Sequence, residues 1–309
     1  MNRTLDELGA ALTARLPGRV RLAAPSAELT TYRCVGALDD FVRAGTDHDL
    51  RVLSEVLAPD PVPVLVIGRG SNLLVSDRGF AGVALSLTED LEGLDADPGS
   101  GRVRAGGGLA LPVLARRTAA SGIAGLEFYV GIPGSVGGAV RMNAGGHGAD
   151  TDRVIVDARV VDLTDGSARE VARADLGLGY RTSALSASDV VVAATFTGHG
   201  DDPEACTGRI DEIVRWRREH QPGGQNAGSV FTNPPGDAAG RLIEAAGCKG
   251  TRVGGAVVSE KHANFFVAEK DATASDVYAL VELVQRRVEE SSGIRLVPEL
   301  QFVGFGGEG

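Results

Sequence analysis

The sequence predicts an α+β fold, and three observations point there. Apolar, β-rich runs stand at Pro61–Ile67, Val83–Leu87, Val154–Leu163 and Val190–Phe196, whereas helical spacing dominates from Asp202 onward. Glycine supplies 43 of the 309 residues, about twice the usual share, so the backbone bends tightly or approaches something closely at many points. The length accommodates two or three domains and a sizeable core. With 43% hydrophobic and 23% charged residues, the composition excludes intrinsic disorder. A net charge of −10 argues against a nucleic-acid partner.

Each element follows in order. Leu5, Leu8, Leu12 and Leu16 recur at helical spacing within Thr4–Leu16. Thr30–Val42 reads as an extended stretch turning into strand, and Asp39–Leu57 continues as strand, turn and helix. Pro61–Ile67 is expected as a buried strand that stops at Gly68-Arg69-Gly70-Ser71-Asn72, after which Leu73, Leu74 and Val75 resume a strand. Leu94 and Val103 mark a hairpin, and Gly106-Gly107-Gly108 precedes an Ala-rich helix over Leu111–Ser121. The glycine-dense run from Gly131 to Gly148 has a composition that no ordinary helix or strand uses. Val154–Leu163 and Val190–Phe196 read as strands flanking Leu176–Ser183. Helices are expected over Ile210–Glu219, Ala238–Ala246 and Ala274–Ser291, with short strands at Ala256–Val258 and Asn264–Val267, and a domain boundary is placed near residue 200.

No run approaches the roughly 18–20 apolar residues of a membrane span, and Met1–Arg15 is a mixed amphipathic stretch without a signal-peptide core. A cytoplasmic protein with no membrane partner is expected. Cys34, Cys206 and Cys248 are too few and too scattered for a disulfide framework and read as free thiols, with Cys34 and Cys248 packed. The five histidines offer no metal spacing, and no metal is expected.

A strand ending in Gly-x-Gly-Ser-Asn presents several backbone N–H groups in one concavity, which suits a phosphate or pyrophosphate. A dinucleotide fingerprint needs a third glycine opening a helix, but Leu73-Leu74-Val75 continues as strand, which disfavours a Rossmann domain. No Gly-Lys-Ser/Thr triplet occurs, so a P-loop is disfavoured too. A simple hairpin turn would account for Gly68 and Gly70 about equally well. The Gly131–Gly148 loop is costly to order without a ligand and favours a cofactor cradle.

At these motifs the chain resembles the UDP-N-acetylenolpyruvoylglucosamine reductase family, flavoenzymes that form UDP-N-acetylmuramate in peptidoglycan synthesis. The resemblance rests on Ile67-Gly68-Arg69-Gly70-Ser71-Asn72-Leu73-Leu74, Gly131-Ile132-Pro133-Gly134-Ser135-Val136-Gly137-Gly138, Met142-Asn143-Ala144-Gly145 and Gly179-Tyr180-Arg181-Thr182-Ser183. Asn226-Ala227-Gly228-Ser229-Val230-Phe231-Thr232-Asn233-Pro234, the run from Ala239 to Gly247, the run from Val258 to Phe265 and Pro298-Glu299 extend it over nearly the whole chain. It implies an FAD-binding fold of the vanillyl-alcohol-oxidase type: subdomains 1–88 and 89–200 grip FAD, and 201–309 forms an α+β substrate domain. Gly68, Arg69, Gly70, Ser71, Asn72 and Leu73 would hold the pyrophosphate. Gly131, Ile132, Pro133, Gly134, Ser135, Gly137, Gly138, Asn143 and Gly145 would lie against the ribityl chain and flavin. Tyr180 and Asn233 would meet the substrate, NADPH would be the reductant, and the short connection through Tyr180 suggests the family's second structural type.

Reducing an enolpyruvyl ether delivers a hydride to the vinyl CH₂ and a proton to the carbon bearing the carboxylate, with enolate-like charge between. By resemblance, Ser229 is the proton donor, Arg181 the fork that meets the carboxylate, and Glu299 the acid that hydrogen-bonds the enolate. Singly, the plainer readings are a turn cap for Ser229, a surface ion pair for Arg181 and a solvated strand residue for Glu299. Their joint placement inside the motifs reverses that preference. His262 is structural or substrate-facing rather than a ligand, and Arg215-Trp216-Arg217-Arg218 reads as a solvated helix face.

The chain departs from the family at Cys34-Val35-Gly36-Ala37, where Gly-Gly-Pro is common, and at His147 and Asp150, where Tyr and Glu are usual. Gln221–Gln225 is short, and Glu219-His220 replaces a common basic residue. Two alternatives therefore stay open: a paralogue of the same fold reducing another unsaturated or enolpyruvyl acid, and a flavin- or sugar-nucleotide-binding protein without turnover.

Overall fold

The computed structural model describes residues 3–306 and divides the chain into two compact units built from non-contiguous stretches. The first takes the N-terminal stretch through Leu22 with Asp39–Arg69 and Gly82–Trp216; the second takes Ala23–Leu38, Gly70–Ala81 and everything from Arg217 on.

In the first unit the N-terminal helix, Leu5–Arg15, starts at Thr4, whose hydroxyl accepts from the Glu7 amide while the Glu7 side chain returns to the Thr4 amide. The same capping box, Thr46 with Asp49, opens the helix Asp47–Leu57. Leu8 and Leu12 of one helix and Leu50, Leu53 and Leu57 of the other share a core with Val42, Val83 and Leu85. Those last residues come from a sheet ordered Val20–Pro25, Ala37–Ala44, Phe80–Leu87, Val64–Val66. Its final pair is parallel, with Val64 opposite Val83. The run expected as a buried strand at Pro61–Ile67 is thus a short, half-buried strand at the sheet edge, because only one side of it is paired.

A five-stranded sheet follows, ordered Ala168–Ala172, Ile155–Asp162, Asp189–Thr197, Arg102–Gly106, Leu94–Asp97. Its central strand is apolar almost throughout because both faces are covered: Val190 and Val192 enter the core above, while Val191, Ala194 and Phe196 enter a second core with Leu111, Leu114 and Tyr129. Ala168–Ala172 escapes a pattern reading because it is an exposed edge strand carrying Arg169 and Glu170.

The second unit centres on the 19-residue helix Ala274–Ser292, opened by a Thr273–Asp276 capping box and closed by Gly293 in the left-handed region. Val277, Leu280, Val281, Val284 and Val288 bury one stripe of it. The Asp77 carboxylate accepts from the amides of Ala274 (2.8 Å) and Ser275 (2.9 Å), tying the 70–81 stretch to the start of that helix. Leu73–Val75 pairs in parallel with Gln301–Val303, and Arg252–Val253, Ala256–Val258 and Phe266–Ala268 form a small antiparallel sheet. Among the described residues no helix is long and apolar enough to cross a membrane. All three cysteines are free and buried, Cys206 included, which the sequence reading had not placed in a core. Burial pushes the Cys34 thiol up to about 11.

Candidate active site

The two glycine loops meet in the first unit. A Cβ on Gly68 would overlap the Ser135 hydroxyl, so only glycine lets the first loop lie against the second. The second loop is more regular than its composition suggests. Ser135 caps a six-residue helix, Val136–Arg141, by accepting from the Gly138 amide at 3.3 Å, and Val136, Ala139 and Val140 bury one face of it. The Gly137 amide donates to Gly107 O at 2.7 Å, joining this loop to the Gly106–Gly108 run. Met142 ends the helix, and His147 and Gly148, both with positive φ, make the two-residue turn between Gly145–Gly146 and Ala149–Asp150. The His147 ring stands edge-on to Trp216 at 5.0 Å.

These loops fit a flavin dinucleotide: a Cβ on Gly138 would meet nothing nearer than Ser135 Oγ at 3.5 Å, and one on Gly146 nothing within 4 Å. Bare backbone borders open space at Gly146, whereas a Cβ on Gly70, Gly131 or Gly145 would press on Leu29 O, the His147 ring or Ala149 O, so those glycines serve the packing of the loops themselves. The chain passes from the first unit to the second between Arg69 and Gly70, so Gly70, Ser71, Asn72 and Leu73 are described with the second unit. Gly70, at φ +60°, accepts from the Thr31 amide at 3.2 Å, Asn72 Nδ2 donates to Glu299 O at 3.0 Å, and Leu73 pairs with Gln301.

Arg181 sits in the first unit on a two-residue reversal in which Gly179 and Thr182 exchange backbone bonds at 3.1 and 3.4 Å. Its φ of +56° is a left-handed conformation that glycine would adopt more readily, at a local backbone cost. The guanidinium lies 5.3 Å from the centre of the Tyr180 ring and donates to Gly145 O at 3.4 Å. Arg181, Tyr180, Asn143, Gly145, Asp150 and Asp152 border an open cavity of about 410 Å³. Asp152 is neutralised by Arg173 at 2.9 Å, which holds its carboxyl below the usual range. Tyr180 is 60% exposed.

Ser229, Glu299 and Asn233 lie in the second unit. Ser229 bridges to Phe265, the Val230 amide donates to Asn264 O at 2.9 Å, and Phe231 bridges to Pro298. The Glu299 amide donates to Val230 O at 2.8 Å, so Ser229 and Glu299 come from neighbouring strand segments. Both are half-buried. Asn264, which the sequence reading took only as a strand residue, holds Phe231 at both ends: its Oδ1 accepts from the Phe231 amide at 3.0 Å and its Nδ2 donates to Phe231 O at 2.8 Å. A polar residue between the apolar Ala263 and Phe265 was the available signal. Asn233 Oδ1 accepts from the Ala239 amide at 3.0 Å, at the start of the helix Ala239–Ala245. His262 rests edge-on to Phe265, and burial lowers its pKa, in keeping with a structural reading. Arg215, Trp216 and Arg218 are exposed, but Arg217 is not part of a solvated face: it is half-buried, burial lowers its pKa, and its Nε donates to Gln221 Oε1 at 2.7 Å. No cluster able to hold a metal exists among the described residues.

Fold and loops together define a flavoprotein, and the family model of an FAD binding domain matches residues 39–172. A second model, UDP-N-acetylenolpyruvoylglucosamine reductase C-terminal domain, matches residues 220–303. UDP-N-acetylenolpyruvoylglucosamine reductase 2 of Symbiobacterium thermophilum is 42% identical over 94% of each chain. The reductase of Rubrobacter xylanophilus is 43% identical over 91% of this chain and 94% of its own. The crystal structure of the Thermus caldophilus reductase superposes with a TM-score of 0.79 at 34% identity, covering 92% of this chain and 98% of that one. The chain belongs to the UDP-N-acetylenolpyruvoylglucosamine reductase family.

Proposed function

We propose that this chain uses NADPH and FAD to reduce the enolpyruvyl group of UDP-N-acetylglucosamine enolpyruvate to the lactyl ether of UDP-N-acetylmuramate, acting in the cytoplasm on the way to peptidoglycan. The observation that carries this is the 42% identity spread over 94% of both chains. When bound, FAD supplies the two-electron transfer from NADPH to the vinyl carbon. Arg181 takes the substrate carboxylate in a bidentate fork and Tyr180 flanks it. Ser229 Oγ delivers the proton to the carbon bearing that carboxylate, and Glu299 hydrogen-bonds the enolate oxygen as charge develops. A serine is a weak acid, so its donation depends on neighbouring charge and on Glu299 sharing the load.

Rapid mixing tests this: the purified protein is expected to be yellow with noncovalent FAD, to bleach with NADPH, and to recover its absorbance on UDP-N-acetylglucosamine enolpyruvate. Recovery only with a different unsaturated acid would identify a paralogue. A protein that binds FAD but recovers with none of them is a binding protein without turnover.

A further inference from the structure

Arg181 stands on a loop, residues 176–188, that is exposed over much of its length yet is held at several points by side chains from outside it. Arg141, the last residue of the short helix in the second glycine loop, donates through Nη1 to Leu185 O at 3.1 Å and through Nη2 to Ser186 O at 2.7 Å. Two residues on, Asn143 donates through Nδ2 to Gly179 O at 2.9 Å while its Oδ1 accepts from the Asp152 amide at 2.9 Å. Asn143 is buried, at 6% exposure. Asp189 adds a third hold by accepting from the Ser186 amide at 2.8 Å.

Arg141 is an unusual anchor for such a loop. Its guanidinium is half-buried, burial lowers its pKa, and the acidic group that opposes this is Asp189. Removing a cation from water to hold two carbonyls is a poor way to stabilise an ordinary connection between strands, which water would satisfy. It is a sound way to remove alternative loop conformations. Flexible loops place a charged group in many orientations, and binding then bears the cost of choosing one.

We propose that Arg141 and Asn143 are positioning residues that clamp the 176–188 loop at two points and thereby fix the Arg181 guanidinium in the orientation that receives the substrate carboxylate. The proposal rests on the reading of Arg181 given above. It also places both clamps at the end of the glycine loop that borders the flavin cradle, so the same short segment sets the cofactor loop and the carboxylate fork.

The test combines kinetics with hydrogen exchange on the FAD-loaded enzyme. Arg141→Met and Asn143→Asp, the latter keeping the acceptor for Asp152 but losing the donor to Gly179, are expected to speed amide exchange across 176–188. Both should raise KM for the enolpyruvyl substrate about tenfold with a smaller fall in kcat, and Arg141→Met, which lies outside the residues assigned to the cofactor, should leave flavin content and the rate of flavin reduction by NADPH unchanged. Arg141→Lys, which retains one donor toward the carbonyls, should recover part of the loss. In an Arg181→Ala background, Arg141→Met should add nothing. Unchanged loop exchange would overturn the proposal, as would a normal KM in Arg141→Met beside a raised KM in Arg181→Ala. A normal KM in Arg181→Ala would instead overturn the carboxylate reading, and the positioning role with it.

Discussion

Two buried asparagines do the same kind of work in different surroundings. Asn264 binds both backbone groups of one residue, Phe231, beside the apolar core of the second unit. Asn143 ties together two separate segments, Gly179 and Asp152, at the edge of an open cavity. In the first case the side chain substitutes for a missing strand and holds the segment carrying Ser229. In the second it steadies a loop that has few strand partners of its own. Position on a strand network is fixed by many backbone bonds that no point substitution removes. Position on a clamped loop depends on two or three side chains. On the proposed roles, the proton donor Ser229 thus has the more rigid support, and the carboxylate fork of Arg181 the more adjustable one.

The largest effect that could break this contrast comes from Ser229→Ala. Its backbone bridge to Phe265 survives the change, so the strand segment should keep its place and the protein its melting temperature. Reduction of the flavin by NADPH should proceed as before. Reoxidation by the enolpyruvyl substrate should slow by about 100- to 10,000-fold, the range for loss of a general acid. Stopped-flow absorbance separates the two halves, and normal reoxidation would assign the proton to another group.

A smaller effect is expected from Asn264→Ala, and it should be of a different kind. Loss of the amide strands the Phe231 N–H and C=O in an apolar setting, at about 1–3 kcal/mol each, so destabilisation of roughly 2–6 kcal/mol is expected. Chemical denaturation measures it. Asn143→Asp, which loses one bond beside an open cavity, should cost much less stability while changing KM. Equal losses of stability in the two variants would erase the distinction drawn between the regions.

Much of this was legible in the sequence. The N-terminal helix from Leu5, the stripe on Ala274–Ser292 and the central strand through Val190–Phe196 follow from periodicity. The bond from the Glu299 amide to Val230 O, which sets the segments of Ser229 and Glu299 side by side, does not, because it spans some 70 residues of chain and no local pattern encodes it. The helix over Val136–Arg141 was hidden by its glycines, which are needed for close approach to Gly107 and mask the apolar triplet Val136, Ala139 and Val140. Arg141 gave no signal at all: an arginine at a helix end reads as solvated until its two carbonyl partners are seen. Asp150, noted for replacing the usual Glu, proves to cap the short helix Thr151–Val154 through a bond from the Arg153 amide at 3.3 Å.

The smallest expected effect sharpens the comparison through pH. His262 lies two residues before Asn264, and its Nδ1 accepts from the Asn264 amide at 3.3 Å, so the neutral ring supports the backbone that carries the Asn264 side chain. Burial is the main cause of its lowered pKa; Lys249 pushes the same way, while Glu244 and a backbone hydrogen bond oppose it. Because the folded pKa lies below the unfolded value near 6.5, the unfolded chain binds more protons in the window beneath that value. The stability His262 contributes is therefore fully present above about pH 6.5 and is lost as the pH falls from there through the folded pKa. Protonation at Nδ1 also removes the acceptor that the Asn264 amide uses. Denaturant unfolding at a series of pH values should show this fall in the wild type, and His262→Phe, which keeps a ring against Phe265 but cannot titrate, should flatten that part of the profile. The exchange rates of the 176–188 loop should be the same in both proteins once corrected for intrinsic chemistry, since none of its clamps is a histidine. A loop that loosened in step with His262 would mean that the two supports are coupled.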